Sequence, residues 1–394
     1  MVKGDRTLYE SMSFIPRFSY NQYLVRHLGV IEGARAVIEV LPLPPDTTLR
    51  LRHDALQRST RSSTQIEGNP LNEAAVRRAI ARSDRTGSDA EQEVRNYWRA
   101  LDRVEEFAEA QTPITEAFIQ ELHRIVIVRG RGRRGSKSEY RITECPVVDT
   151  LTRAIDYGPP EPGDVPVLMG ELVDWLSSTA TAELSAPIRA AILTHRFLSI
   201  HPFNDGNGRT GRLLATAELW RSGYRMRGFF SFDEYFNADR DRYYRSLQMG
   251  LPVNFYEGRH DPDHTPWLLY FVETMARAAH ELQLKAKSLY QGAAADAPPW
   301  EELPRRSQQL LTRLLARVLD GVKNPFVISV LDVASWFGVS DKTAREWLQE
   351  WTESSLIHPV LAGSGTRVRS YALGEEWIAA CFKIRESVSE NSGS

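Results

Sequence analysis

Cysteine is scarce in this sequence: of 394 residues only Cys145 and Cys381 are cysteines. Their separation supports neither a zinc-ligand spacing nor a disulfide framework, and it fits a reducing compartment. Long apolar runs are also missing. No stretch approaches the roughly 18 to 20 apolar residues of a membrane span. The N-terminal residues MVKGDRTLYE lack the apolar segment of a secretory signal. Charge of one sign is lacking too, with a net value of −2. That balance argues against a general nucleic-acid coat or a membrane-surface protein. No internal repeat is visible. These absences lead to the expectation of a soluble, cytoplasmic protein without membrane contact. Hydrophobic residues make up 42% of the chain, enough to bury a core in two or three domains.

Up to about Tyr290 the pattern is mainly helical. Leu49 to Ile66 runs without proline and stops at Gly68-Asn69-Pro70, a helix-stop signal. Leu71 to Arg82, Asp89 to Gln111 and Ile114 to Val128 continue at helical spacing. The run Arg129 to Gly135, rich in glycine and arginine, reads as a loop. Cys145 to Val148 and Arg153 to Tyr157 read as a small β-hairpin closed by Gly158-Pro159-Pro160. Helices resume at Pro166 to Ser178, Ala186 to Leu198, Arg209 to about Gly223 and Trp267 to Tyr290. Gly292 to Pro299 has the composition of a linker. Beyond it, Asp332 to Ser340 followed by Asp341 to Trp351 is a helix-turn-helix pattern. Gly338 makes the turn and Ser340 caps the second helix. Ile357 to Leu361 and Arg367 to Leu373, around Gly363-Ser364-Gly365, read as a β-wing.

One string concentrates chemistry: His201-Pro202-Phe203-Asn204-Asp205-Gly206-Asn207-Gly208-Arg209-Thr210-Gly211-Arg212. Gly206 and Gly208 let consecutive backbone amides turn toward one point. The helix that follows adds amides and the positive end of its dipole. The Asn207 side chain can donate to a phosphate oxygen. Arg209 and Arg212, three apart on one helix face, can fork onto phosphates. Asp205 is a hard ligand suited to Mg²⁺. His201 can accept a proton near neutral pH. The set describes a hydroxyl deprotonated by His201 attacking a phosphorus held by the glycine bend, Mg²⁺ and the arginines. His195, on the preceding helix, reads as a structural histidine, and Phe203 and Leu198 as core anchors.

These residues match, at every fixed position, the signature of the Fic family, which the string therefore resembles. The resemblance implies a Fic-type helical bundle with a small β-hairpin flap, and transfer of AMP from ATP to a hydroxyl side chain of a target protein. By it His201 is the base, and Asp205 holds Mg²⁺ (or Mn²⁺). Gly206, Asn207 and Gly208 bind phosphates, Arg209 the inner phosphates and Arg212 the γ-phosphate. The related Doc branch usually carries lysine where this chain has Gly208, and often alanine in place of Gly206, so AMP transfer is favoured over phosphorylation. Upstream, Ser63-Thr64-Gln65-Ile66-Glu67-Gly68 resembles the family's inhibitory motif. Ser63 and Glu67, four apart, share a helix face. Glu67 paired with Arg212 would deny that arginine to the γ-phosphate, and the same glutamate can position a water for AMP removal. The hairpin, at about residues 140–157, corresponds to the flap that docks the target by strand addition. Tyr243 and Tyr244 resemble the segment near the adenine, with core packing as the alternative.

The expected organisation is an N-terminal helical region (1–110) with an inhibitory helix (about 48–68) and a catalytic core (111–291). A linker (292–302), a winged helix (303–380) and a disordered tail (386–394) follow. The second helix of the helix-turn-helix sets Asp341, Glu346 and Glu350 against Lys342 and Arg345, which is unfavourable for phosphate contacts. A structural or protein-interaction role is therefore expected over DNA binding, although the wing holds Arg367 and Arg369. Two other readings stay open: a DNA-binding regulator with a nucleotide-sensing core, and a Doc-like kinase. A homodimer is compatible with the sequence.

Overall fold

The computed structural model describes residues 13–41, 43, 45–82, 87–128, 139–148, 155–290, 303–319, 322–361, 368–375 and 377–378. The basic run 129–135, the linker, the tail, Arg367 and the tip of the wing lie outside them. Helices α1 (Gln22–Val40), α2 (Pro45–Ile66), α3 (Glu73–Ala81), α4 (Asp89–Glu109) and α5 (Glu116–Val126) lead into strands β1 (Val147–Val148) and β2 (Ile155–Tyr157). Then follow α6 (Val165–Ser177), α7 (Thr179–Ala182), α8 (Ala186–Ile200), α9 (Asn207–Arg221), α10 (Asp233–Ala238), α11 (Arg240–Gln248) and α12 (Thr265–Tyr290). The C-terminal part contains α13 (Arg305–Leu319), β3 (Val327–Ile328), α14 (Val330–Phe337), α15 (Asp341–Glu353), β4 (Ile357–Leu361) and β5 (Val368–Leu373). The fold is mainly helical, as expected. Among the described residues no helix is long and apolar enough to cross a membrane.

The chain divides into two compact units. The first comprises residues 1–35, 103–225 and 232–280. At its centre lie α8 and α9, whose side chains are buried almost without interruption, as expected for helices enclosed on all sides. They approach closely at Gly211, where a Cβ would stand 3.1 Å from Leu198 Cδ2. Buried charged groups meet across this core. Arg189 Nε donates to Glu218 Oε1 at 2.6 Å across the two helices, and Arg196 of α8 lies 3.5 Å from Glu171 of α6. His195 is enclosed, with Nε2 3.2 Å from the Leu247 carbonyl and its ring edge-on to His264.

The second unit gathers residues 36–102, 226–231 and 281–394. Its C-terminal part has the order helix, strand, helix, helix, strand, strand. β5 pairs with both β3 and β4 in an antiparallel sheet. The helix-turn-helix forms as its capping residues dictate. Gly338 takes φ 67°, and the Ser340 side chain accepts from Thr343 N–H. β3 is an addition to the sequence reading, because two residues are too short to show an alternation. Leu49 of α2 belongs to the same apolar cluster as Leu310, Leu314, Trp336, Leu348 and Trp351. Arg52 Nη1 donates to Gln308 Oε1 at 2.9 Å. Arg313 of α13 is buried, pairs with Asp102 of α4 and lies over the rings of Trp98 and Phe337. Removing one partner of a buried pair leaves an uncompensated charge. Asp102→Ala is expected to lower unfolding stability by about 3–5 kcal/mol, and Asp102→Ala combined with Arg313→Met by less than Asp102→Ala alone. Urea denaturation of the three proteins checks this; equal midpoints for wild type and Asp102→Ala would refute it.

Candidate active site

α8 ends because His201 leaves the helix in the left-handed region (φ 50°, ψ 57°), its N–H still bonded to the Phe197 carbonyl. Five residues later Gly206, at φ 78°, is the N-cap of α9. The sequence reading started α9 at Arg209. It begins at Asn207, so Asn207 and Gly208 lie in the first turn. Thr210 N–H to Gly206 O, at 2.9 Å, is the first bond of the helix ladder. The amides of Asn207, Gly208 and Arg209 precede it and point out of the helix start, where an anion is favoured.

Asn207 differs from its expected use. Its side chain accepts from Phe203 N–H at 3.0 Å and donates to Phe203 O at 2.7 Å. Being buried, it must satisfy both ends of its amide, and the loop's own backbone is the available partner. Its side chain is thus a staple that closes the loop, and its backbone amide is what faces the helix start. Asp205 accepts from Gly206 N–H at 2.7 Å and from Arg209 Nη2 at 3.1 Å. An exposed carboxylate therefore already sits at the positive end of α9. Arg209 and Arg212 are both buried, and His201 is half-buried.

Sequence reasoning missed two residues beside the loop. His123, on α5, stacks on Phe203 (centroids 3.6 Å apart, planes at 5°) and lies 3.0 Å from the Asp205 carbonyl through Nε2. Burial lowers its pKa to about 4, against a smaller opposing effect of the Asp205 carbonyl bond. It is thus neutral at pH 7, with the proton on Nε2. Arg141 lies just before the flap and donates Nε to the His201 carbonyl at 2.8 Å. In an amphipathic helix and a loop respectively, nothing in the sequence sets either residue apart from ordinary packing or surface charge.

The flap pairs antiparallel, Val147 with Tyr157 and Val148 with Ile155; residues 149–154 lie outside the described part. Thr143 Oγ1 donates to Asn204 Oδ1 at 3.3 Å, so the flap base touches the motif loop. Tyr243 is enclosed and stacks on Phe236, a core position, whereas Tyr244 is exposed. In the second unit, Glu67 is the C-cap of α2. Gly68 N–H bonds Gln65 O and Asn69 N–H bonds Thr64 O, the paired bonds of a Schellman motif with Gly68 left-handed. Ser63 is buried and Glu67 exposed. Among the described residues no group of three metal-ligating side chains occurs.

Residues 113–219, all within the first unit, match the model of the Fic/DOC family. The chain carries a Fic/DOC domain. Over 202 residues, 50% of this chain, it is 30% identical to "Protein adenylyltransferase Fic" of Drosophila willistoni and covers 39% of that protein. The corresponding protein of Drosophila grimshawi is 32% identical over the same length, with 40% covered. The chain thus spans about two fifths of the length of these curated relatives. The fold resembles that of a Fic family protein from Desulfovibrio desulfuricans G20, with TM-score 0.57 and 22% identity, covering 92% of this chain and 99% of that one. Fic-1 from C. elegans gives TM-score 0.51 at 23% identity, covering 68% and 74%.

Buried histidines give the first unit a pH signature. His123 and His264 have pKa values lowered to about 4, and His195 well below its ordinary value, each first through burial. Unfolded, they take up protons near pH 6.5; folded, they do so only near 4 or below. Their stability contribution is complete above 6.5 and is lost as pH falls toward 4, by up to about 1.4 kcal/mol per unit per histidine. Thermal melts at pH 7, 6 and 5 should fall progressively, and His123→Phe should shallow the trend. Melting temperatures independent of pH over that range would contradict this account.

Proposed function

We propose that the protein is an adenylyltransferase that moves AMP from ATP to a hydroxyl side chain of a target protein. The observation that carries this reading is the α8–α9 loop: a histidine, a left-handed glycine at a helix start and two buried arginines, within a Fic/DOC domain whose curated relatives are named adenylyltransferases. In the proposed reaction the hydroxyl oxygen attacks the α-phosphorus and His201 takes its proton. The α,β-phosphoanhydride bond breaks and pyrophosphate leaves. The Asn207, Gly208 and Arg209 amides bind phosphate oxygens, Arg209 the inner phosphates and Arg212 the γ-phosphate. Tyr244, exposed, is the better placed of the tyrosine pair to meet the adenine.

Asp205 fits a divalent cation. It is a lone, accessible carboxylate beside a phosphate cradle, and Mg²⁺ takes one or two carboxylates with substrate phosphates completing its shell. Mg²⁺ or Mn²⁺ held there would neutralise charge on the phosphates. The flap is the docking strand for the target, by backbone pairing.

The reading includes self-restraint. Glu67, presented by the Schellman motif on α2, pairs with Arg212 and withholds it from ATP, and the same carboxylate supports AMP removal by water. The winged helix serves as a structural or protein-interaction module, since the exposed face of α15 carries Asp341, Glu346 and Glu350 against Lys342 and Arg345. The site of action is the cytoplasm.

With α-labelled ATP and Mg²⁺, Glu67→Gly should label protein in cell extract, or itself, at least tenfold more than wild type. Adding His201→Ala should remove the signal by about 10²–10⁴-fold. Label from γ-labelled but not α-labelled ATP would instead make the protein a kinase. No label from either nucleotide, with ATP bound by the Glu67→Gly protein, would leave a nucleotide sensor and sink the transferase reading.

A further inference from the structure

A helix end leaves carbonyls without intrahelical partners, which water or side chains must satisfy. At the end of α8 two residues do this, Arg141 just before the flap and Tyr157 on its second strand. The Tyr157 hydroxyl donates to the Ser199 carbonyl. The Arg141 guanidinium takes the next two, with Nη2 3.5 Å from Ile200 O and Nε 2.8 Å from His201 O. The Arg141 backbone N–H adds a bond to Pro202 O at 2.8 Å. The rest of the guanidinium faces the flap, reaching Thr143 O at 3.3 Å on the entry side and Pro160 O on the exit side. Arg141 is 2% exposed, and each of these contacts is to a backbone carbonyl.

Three physical points make this more than packing. A cation at a helix C-terminus is favoured by the dipole. A rigid fork of five N–H donors can serve four carbonyls from three segments at once, which a lysine ammonium cannot do. His201 occupies the left-handed region, which disfavours a residue with a Cβ by about 1–2 kcal/mol, so surrounding bonds must hold it there.

We propose that Arg141, assisted by Tyr157, is a positioning residue that locks both roots of the flap to the backbone of His201, so that the imidazole and the target strand keep one register. This rests on the transferase reading given above. The clamp touches neither nucleotide nor target. It acts on the rate of transfer by fixing the distance between the base and the hydroxyl, where a misplacement near 1 Å lowers rates by about 10²-fold.

The test uses the full chain carrying Glu67→Gly, with Arg141→Gln, Arg141→Lys or Tyr157→Phe added. ATP affinity is measured by calorimetry, kcat and KM for AMP transfer with α-labelled ATP, and amide exchange of residues 139–148, 155–160 and 200–203 by mass spectrometry. Arg141→Gln should keep the ATP Kd within about threefold, lower kcat by about 100-fold and speed exchange in these segments at least tenfold. Arg141→Lys should fail to restore kcat, and Tyr157→Phe, which removes a single donor and keeps the ring, should give the same pattern at smaller amplitude. A kcat within threefold of the parent, exchange unchanged, or loss of ATP binding in step with kcat would each overturn the proposal. Should Arg141→Gln not fold, Tyr157→Phe decides by the same criteria. If the Glu67→Gly parent itself transfers no AMP, the transferase reading falls, and the exchange comparison alone still decides whether the clamp exists.

Discussion

The two-way bond between Asn207 and the Phe203 backbone closes the loop on which the site depends. It fixes where α9 begins, and hence where the first amides of that helix point. It also holds the Phe203 ring in place against His123, and His123 bonds the Asp205 carbonyl next to Gly206. Loop closure, ring packing and amide direction are thus consequences of one side chain that never has to touch substrate. Gly206 supplies the positive φ at the bend, and a Cβ at Gly211 would crowd the Leu198 and Phe197 side chains of α8.

The loop is wired to its surroundings mostly through backbone carbonyls. His123 holds that of Asp205, Arg141 those of Ile200 and His201, and Tyr157 that of Ser199. Carbonyls are present whatever the side chain. These supports therefore constrain conformation without restricting which residues occupy the loop. Asp205 is also held through its side chain, since its carboxylate accepts from the first amide of the helix start and pairs with Arg209. A phosphate entering the bend must compete with an anion the chain supplies itself.

Much of this was legible in the residues. Helix periodicity with clear stops gave α2, α4, α6, α8 and α12 to within a few residues, and Gly338 with Ser340 marked the helix-turn-helix. The string from His201 to Arg212 stood out because its residue types are adjacent in sequence, and the structure sets it on the α8–α9 loop and the first turns of α9. The use of the Asn207 side chain was not legible, since an amide beside glycines serves a ligand or its own loop equally well from sequence alone. Nor were His123 and Arg141, which lie 82 and 60 residues from their partners. Contacts at such separations leave no local pattern. Tyr243 and Tyr244 are neighbours in sequence, yet one is enclosed and the other exposed, a difference set by which face of α11 meets Phe236.

The second unit draws on three separated stretches of chain, the last running to the C-terminus. Leu49, early in α2, reaches its apolar neighbours only when residues some 260 positions later have been made. During synthesis the helix carrying Glu67 therefore emerges long before the core that anchors it, whereas the Fic domain, 113–219, is a single continuous piece. Assembly of that second core involves closing a long loop, which is entropically slow. A chain still on the ribosome accordingly holds the whole of 113–219 while the apolar cluster that anchors α2 still waits for its later half.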